Sequence, residues 1–387
     1  MNQGKYVFSQ IIEFLPQRVF DTIVEKYSGN HYVKHFTCWN QMLCMMFGQL
    51  GNCESLSSLI LCIQAHMSKA YHLGLGVGIS KNNLAKANES RNWQIYSEFA
   101  YILIAQARKC CQPDEFELSN EGNIYAFDST VIDLCISVFW WAKFKKTKSA
   151  IKLHTLFDVK TAIPFFIHIT EAAVHDVNAM DVLEYEKGSY YVFDRGYIDF
   201  KRLYRVHTEG AFFVTRAKDN FDYKRQKSQP CDRSKGVICD QIVLLKGYYA
   251  AKNYPDKMRR IKYHDAETNK MLVFITNNIE LSALEIALLY KYRWRVELFF
   301  KWIKQHLKIL TFWGTSENAV KTQVYIAIIT YTLVAIAKSE LKSPLSTYEI
   351  LQILSLSLLD KTPVKELINK PYLQNFKEPL YNQLKMF

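Results

Sequence analysis

The chemistry-bearing residues of this chain concentrate in Leu288–Leu310, LLYKYRWRVELFFKWIKQHLKIL. Wound as an α-helix, Tyr290, Arg293, Glu297, Lys301, Lys304 and Lys308 fall within an arc of about 80°. Beside that arc runs an apolar stripe of Leu289, Val296, Phe300, Ile303 and Leu307, which predicts packing on a core. A single carboxylate thus stands among cations, a surface suited to a polyanion with a metal ion beneath it. The plainer alternative is a solvated face on which Glu297 makes i,i+4 ion pairs with Arg293 and Lys301. Two more carboxylates stand where apolar runs stop, Asp128 in NIYAFDSTVIDL and Asp194 in YYVFDRGYIDF. An ionised carboxylate inside a strand core is costly; at a strand's end it can face the crevice where open α/β sheets bind ligands. Taken singly, each also reads as a cap or turn residue, Asp128 with Ser129–Thr130 and Asp194 with Gly196. With Glu297 they make a triad able to hold two divalent cations.

The elements that must position this triad follow from periodicity. A chain of 387 residues predicts two or three domains. Residues 1–118 read as helical, with apolar residues three and four apart in FLPQRVFDTIVEKY, HFTCWNQMLCMMFGQL, ESLSSLILCIQAHMSKAYHL and RNWQIYSEFAYILIAQARKC. Gly74, Gly76 and Gly78 read as loop. A helix-turn-helix DNA reader and a plain packing domain are equally compatible with this pattern, and Lys81, Lys86, Arg91 and Arg108 are available for phosphates. From residue 119 to 310 strands dominate: NIYAFDSTVIDL, IKLHTLFDV, IPFFIHITEAAV, YYVFDRGYIDF and GAFFVTRAK, with VNAMDVLEYEK and FKRLYRVHT as helices. That order predicts a mixed α/β sheet flanked by helices. His175–Asp176 reads as a cap before VNAMDVL. An antiparallel β insertion is expected at about 219–281, where many Lys and Arg residues interleave with Tyr223, Tyr248, Tyr249, Tyr254 and Tyr263. Such a mixture suits phosphate tracking with base stacking, or equally solvated hairpin faces. Residues 311–387 read as a helical C-terminal region, with a buried helix over Val324–Ala337 and a loosely held tail.

Composition narrows the partners. The formal charge of +12 points to nucleic acid or an acidic membrane surface. Nine cysteines without a CxxC pair predict reduced, buried thiols and a cytoplasmic setting. Glu13 and Pro16 interrupt the first apolar stretch, so no signal peptide is expected. The Val324–Ala337 run is too short to span a bilayer.

The spacing Tyr290–x2–Arg293–x3–Glu297–x6–Lys304 resembles the Y-(2)-R-(3)-E-(6)-K signature of the insertion-sequence family four transposases. FDST at Asp128 and FDRGY at Asp194 are similar to that family's other motifs. The resemblance implies a ribonuclease-H-like catalytic domain, interrupted by the β insertion and following an N-terminal domain that binds DNA ends. It implies a DDE triad in which Asp128 bridges two Mg²⁺ ions while Asp194 and Glu297 take one each, with Mn²⁺ able to substitute. Tyr290, Arg293, Lys301, Lys304 and Lys308 would contact DNA. The activity implied is cut-and-paste transposition: cleavage at the element's ends through a hairpin, then joining of 3′ ends to target DNA. The partners implied are double-stranded DNA, both terminal inverted repeats and target, and a second copy of the chain on paired ends, in a bacterial cytoplasm. A nuclease of the same fold that does not join ends, and a DNA-binding derivative without catalysis, are the alternatives. One departure stands out: relatives stack a tryptophan of the β insertion on a flipped base, and residues 216–293 contain none.

Overall fold

The apolar and β-branched run IYAFDSTVIDL forms strand β1 (Ile124–Leu134), and the sheet is laid out around it. The computed structural model describes residues 4–111, 122–135, 137–145, 148–307 and 309–369. The other strands are β2 (Lys143–Lys145), β3 (Lys148–Asp158), β4 (Ile163–Glu171), β5 (Tyr190–Phe193), β6 (Phe212–Arg216), β7 (Tyr223–Gln229), β8 (Val237–Leu245), β9 (Met258–Asp265) and β10 (Lys270–Thr276). Across the sheet they run β2-β3-β1-β5-β6-β10-β9-β8-β7, with β4 also paired to β3. β3 is antiparallel to β1 and β4, whereas β5 and β6 continue parallel to β1. This is the ribonuclease-H-like order expected.

The β insertion is antiparallel as anticipated, but it is no separate layer. β10 pairs with β6, so β7 to β10 extend the same sheet. Strand β7, YKRQKSQ, carries no apolar alternation and is exposed along its centre. Sequence periodicity could not find it, because a charged edge strand is selected against further pairing rather than for burial.

The helices preceding β1 are α1 (Val7–Ile12), α2 (Gln17–Lys26), α3 (Cys38–Leu50), α4 (Leu56–Ala65), α5 (Met67–Ala70), α6 (Lys81–Ser90) and α7 (Gln94–Cys110). Later come α8 (Phe200–Thr208), α9 (Tyr248–Asn253), α10 (Ala283–Tyr292), α11 (Trp294–His306), α12 (Glu317–Glu340), α13 (Thr347–Ser357) and α14 (Val364–Asn369). VNAMDVLEYEK is not an α-helix. A 3-10 turn covers Asp176–Val182 and extended chain follows, in keeping with the weak helix propensity of Val, Asn and Asp.

The expected buried helix is longer than its apolar run, because Ser316 caps a start at Glu317. It is long and apolar enough to cross a membrane, and 94% of its most apolar window is buried inside the protein. Buried on all sides, α12 packs against α7, α3 and α6. The N-terminal helices, the C-terminal helices and one face of the sheet therefore share a single apolar core. A second core, with residues of α8 and near α9, covers the other face. Strand β1 alternates between them: Ile124, Ala126 and Ile132 face the first, Tyr125 and Phe127 the second.

The run Leu288–Leu310 is not one helix. α10 starts earlier, on a Ser282–Glu285 capping box, and the chain turns at Arg293 before α11. There the Arg293 N–H donates to the Tyr290 carbonyl (3.1 Å) and the Val296 N–H to the Arg293 carbonyl (3.2 Å). These three-residue bonds tighten the joint without leaving helical dihedrals. α11 ends at His306, and Leu307 departs with φ −120° and ψ 70°. All five stripe residues are buried. Lys308 and the C-terminal tail, residues 370–387, lie outside the described residues. The nine cysteines are free thiols; Cys62, Cys135 and Cys231 are exposed, not buried as expected.

Candidate active site

Parallel pairing places two of the acids side by side. Phe127 in β1 is the register partner of Phe193, the last residue of β5. Asp128 and Asp194 follow that last paired row. Beyond it β1 runs on without β5, still paired to β3 through Asp128 and Thr155. Asp128 thus stands in the middle of a strand, at the point where one neighbour stops. Such a gap over the carboxyl end of a parallel strand is the crevice expected of an open α/β sheet. α11 packs on β1 and brings Glu297 to it.

One side chain ties the groups together. Arg293 donates through Nη1 to Asp128 Oδ2 (2.8 Å) and through Nη2 to Glu297 Oε1 (2.6 Å). The side chains of Arg293 and Asp128 are 15% and 18% exposed, that of Glu297 33%. The i,i+4 pair between Arg293 and Glu297 is therefore real, and the same guanidinium also reaches a strand 165 positions away. Asp194 faces Tyr290, whose hydroxyl lies 3.4 Å from Asp194 Oδ1, long for such a bond. Its other oxygen accepts the Gly196 N–H (3.3 Å), so the turn role anticipated for Asp194 is present as well. Tyr290 is held by Phe274 at 5.0 Å between ring centroids, and the Arg293 guanidinium lies 5.7 Å from the Tyr290 ring.

These charges act on one another. Burial raises the Asp128 carboxyl to about 6; Arg293 and the Ser129 N–H pull it down, while Glu297 and Asp194 push it up. Burial opposes the charge on Arg293, but Tyr290, Asp128 and Glu297 outweigh it and hold its pKa above the ordinary value. Tyr290 is raised, chiefly by burial. The three carboxylates offer hard oxygen donors, the chemistry that Mg²⁺ and Mn²⁺ favour. Among the described residues no three acidic, His or Cys side chains close into a metal cage; here Arg293 engages two of the acids.

The cations expected to meet DNA are distributed unevenly. Lys301 is exposed. Lys304 donates to the Val131 carbonyl of β1 (2.8 Å), and burial lowers its pKa. Arg91 is turned inward onto the carbonyls of Phe36 and Thr37 and onto Gln41. Arg108 is paired with Asp158 (3.1 Å) and donates to the Tyr125 hydroxyl. Lys81 and Lys86 are exposed. In the insertion Arg259 is buried against Asp240, whereas Lys224, Arg225, Lys227, Tyr248 and Tyr249 are exposed.

Two residues beside this site were not assigned to it from the sequence. Asp176 does not cap its turn through a side-chain bond; it accepts the Ser129 hydroxyl (2.8 Å) and pairs with Lys152 (3.2 Å), pinning the strand step after Asp128. Trp294, next to Arg293 and one turn before Glu297, is 55% exposed. A large aromatic among charges on a helix surface was the clue to it.

A ribonuclease-H-like sheet with acids from β1, the end of β5 and α11 gathered at one crevice defines the class. The chain belongs to the DDE transposases of insertion sequences: the transposase DDE domain family matches residues 119–333. Residues 3–76 match a second family, a domain of unknown function, DUF4372. The chain is 34% identical over 262 residues to a putative transposase, y4zB, of Sinorhizobium fredii, covering 66% of this chain and 70% of that protein. It is 28% identical to a probable transposase for insertion sequence element IS5377 of Geobacillus stearothermophilus, covering 72% and 75%. A putative transposase for insertion sequence element IS4SA of Synechocystis is 25% identical, covering 67% and 72%.

Proposed function

We propose that this transposase-family chain is a cut-and-paste enzyme that cleaves phosphodiesters at the ends of its element and joins the freed 3′ ends to target DNA. The observation that carries the reading is the Arg293 fork, which draws a strand carboxylate and a helix carboxylate to one crevice beside Asp194. Asp128, Asp194 and Glu297 are the residues that would hold Mg²⁺, or Mn²⁺ in its place. Divalent ions there supply Lewis-acid polarisation of the phosphodiester and an activated water or 3′-hydroxyl.

The protein's own groups bind and orient. Lys301, exposed on α11 beyond Glu297, meets backbone phosphate. Arg293 and Tyr290 lie at the joint above Asp194, where a flanking phosphate would rest. Lys304 braces β1 through Val131 and borders the same path; Lys308 is assigned to DNA on its spacing alone. Residues 1–118 serve as the end-binding region, 119–310 as the catalytic domain and 311–387 as its helical support. A hairpin intermediate, action on paired ends as a homodimer, and work on the DNA of a bacterial cytoplasm complete the reading.

The test uses the purified chain, Mg²⁺, a duplex carrying the element's terminal repeat and a supercoiled plasmid. Cleavage followed by joining is expected, with a hairpin as intermediate. Cutting without joining identifies a nuclease, and binding without cutting a non-catalytic derivative.

A further inference from the structure

A single guanidinium bridges two of the three carboxylates at this crevice. Its two Nη groups are each spent on a different acid, Asp128 Oδ2 and Glu297 Oε1, while its Nε is buried without a partner. In the closed pair of Arg259 with Asp240, by contrast, Nε and Nη2 both meet one carboxylate. At the crevice one positive charge spans two acids with a third nearby, so the cluster stays net negative and the fork incompletely satisfied. Arg293 takes one oxygen of each acid, and a divalent cation would draw on the same two carboxylates.

We propose that Arg293 is the resident counter-ion of the acid cluster in the cation-free protein, and that a divalent cation displaces it and frees its fork for a DNA phosphate. The proposal rests on the preceding reading in taking the three carboxylates as the cation site. A divalent cation on those two carboxylates would lie close to the Arg293 guanidinium and repel it, so cation entry works against the Arg293 pairs. The Tyr290 ring, 5.7 Å from the guanidinium, gives the displaced cation a face to rest on. A planar fork left without carboxylates matches the geometry of phosphate. Cation loading would then raise affinity for DNA, and DNA would raise affinity for the cation by the same factor.

The experiment measures Mn²⁺ binding to the full chain without DNA, by the loss of free-ion electron paramagnetic resonance signal. Wild type, Arg293→Gln, Arg293→Lys and Asp128→Asn are compared, each checked for folding by circular dichroism. Arg293→Gln should bind Mn²⁺ about tenfold tighter than wild type, the scale of one lost charge-assisted competitor. Arg293→Lys, which keeps the charge but cannot span both acids, should fall between them and covers the case in which the glutamine variant does not fold. Asp128→Asn should bind weakly. By fluorescence anisotropy, Mn²⁺ should tighten wild-type binding of a short duplex and leave that of Arg293→Gln unchanged. If Asp128→Asn weakens Mn²⁺ binding but neither arginine variant tightens it, the exchange is wrong and the carboxylate site stands. If Asp128→Asn binds Mn²⁺ as wild type does, the carboxylate site itself is wrong and the exchange falls with it.

Discussion

Two arginines of this protein are drawn out of water by aspartates, and they are built to opposite ends. Arg259 faces Asp240 in a two-bond fork of 2.9 and 2.6 Å, both side chains 4% exposed, one charge against one charge. It also donates to the Leu281 carbonyl just before α10. Arg293 divides its fork between two acids, lies near a third, and leaves Nε unused. The first is a closed pair that fastens the β insertion to the start of α10. The second is an open, acid-rich arrangement at the crevice. Burial alone does not separate latch from site; charge balance and hydrogen-bond completeness do.

The sharpest way to break this comparison is to neutralise one acid of the open site. Asp128→Asn or Glu297→Gln should lower Mg²⁺-dependent cleavage by about 10³-fold or more while terminal-repeat binding in a gel-shift assay is largely kept. A variant cutting at near wild-type rate removes that residue from the site. The closed pair should respond the other way. Asp240→Ala leaves the Arg259 charge buried and unpaired and should cost about 3–5 kcal/mol in urea unfolding. Cleavage per folded molecule should hold; a fall as large as that of Asp128→Asn would erase the distinction between the two arginines.

Titration offers a subtler contrast. With its carboxyl raised to about 6 by burial first and by its acidic neighbours, Asp128 takes up a proton in the fold that the unfolded chain accepts only near pH 4. Its contribution to stability is therefore full below about pH 4 and lost as pH rises through about 6. Asp128→Asn should flatten that part of the melting temperature against pH curve for the metal-free protein. An unaltered slope would assign the titration to another group. The smallest effect concerns two lysines on α11. Lys301→Ala should reduce the slope of log affinity against log salt by about 0.9. Lys304, already bound to Val131, should change it less, and an equal loss would mean that its amine leaves β1 for phosphate.

Much of this architecture was legible. The α/β order, the antiparallel insertion, the buried stripe of Leu289, Val296, Phe300, Ile303 and Leu307, and the spacing of Tyr290, Arg293, Glu297 and Lys304 are all local patterns. What escaped was less regular. Strand β7 lacks alternation because an edge needs charge. α6, KNNLAKANES, offers only Leu84 and Ala87 to the core, too thin a stripe to register. The break at Arg293 is hidden because the residue keeps helical dihedrals while its hydrogen bonds tighten. Nor could composition separate an arginine turned inward, such as Arg91 or Arg108, from one left for DNA.

Side-chain type and spacing along the chain suffice to say which residues carry negative charge, which carry positive, and which stretches wind or extend. They do not say which charge meets which. Arg293 finds Glu297 through four residues of helix, a meeting that local geometry dictates. It finds Asp128 across 165 positions only because β1 outruns β5 at Phe127 and α11 packs over the exposed step. That encounter depends on strand register and helix packing, which the burial of two separate cores decides.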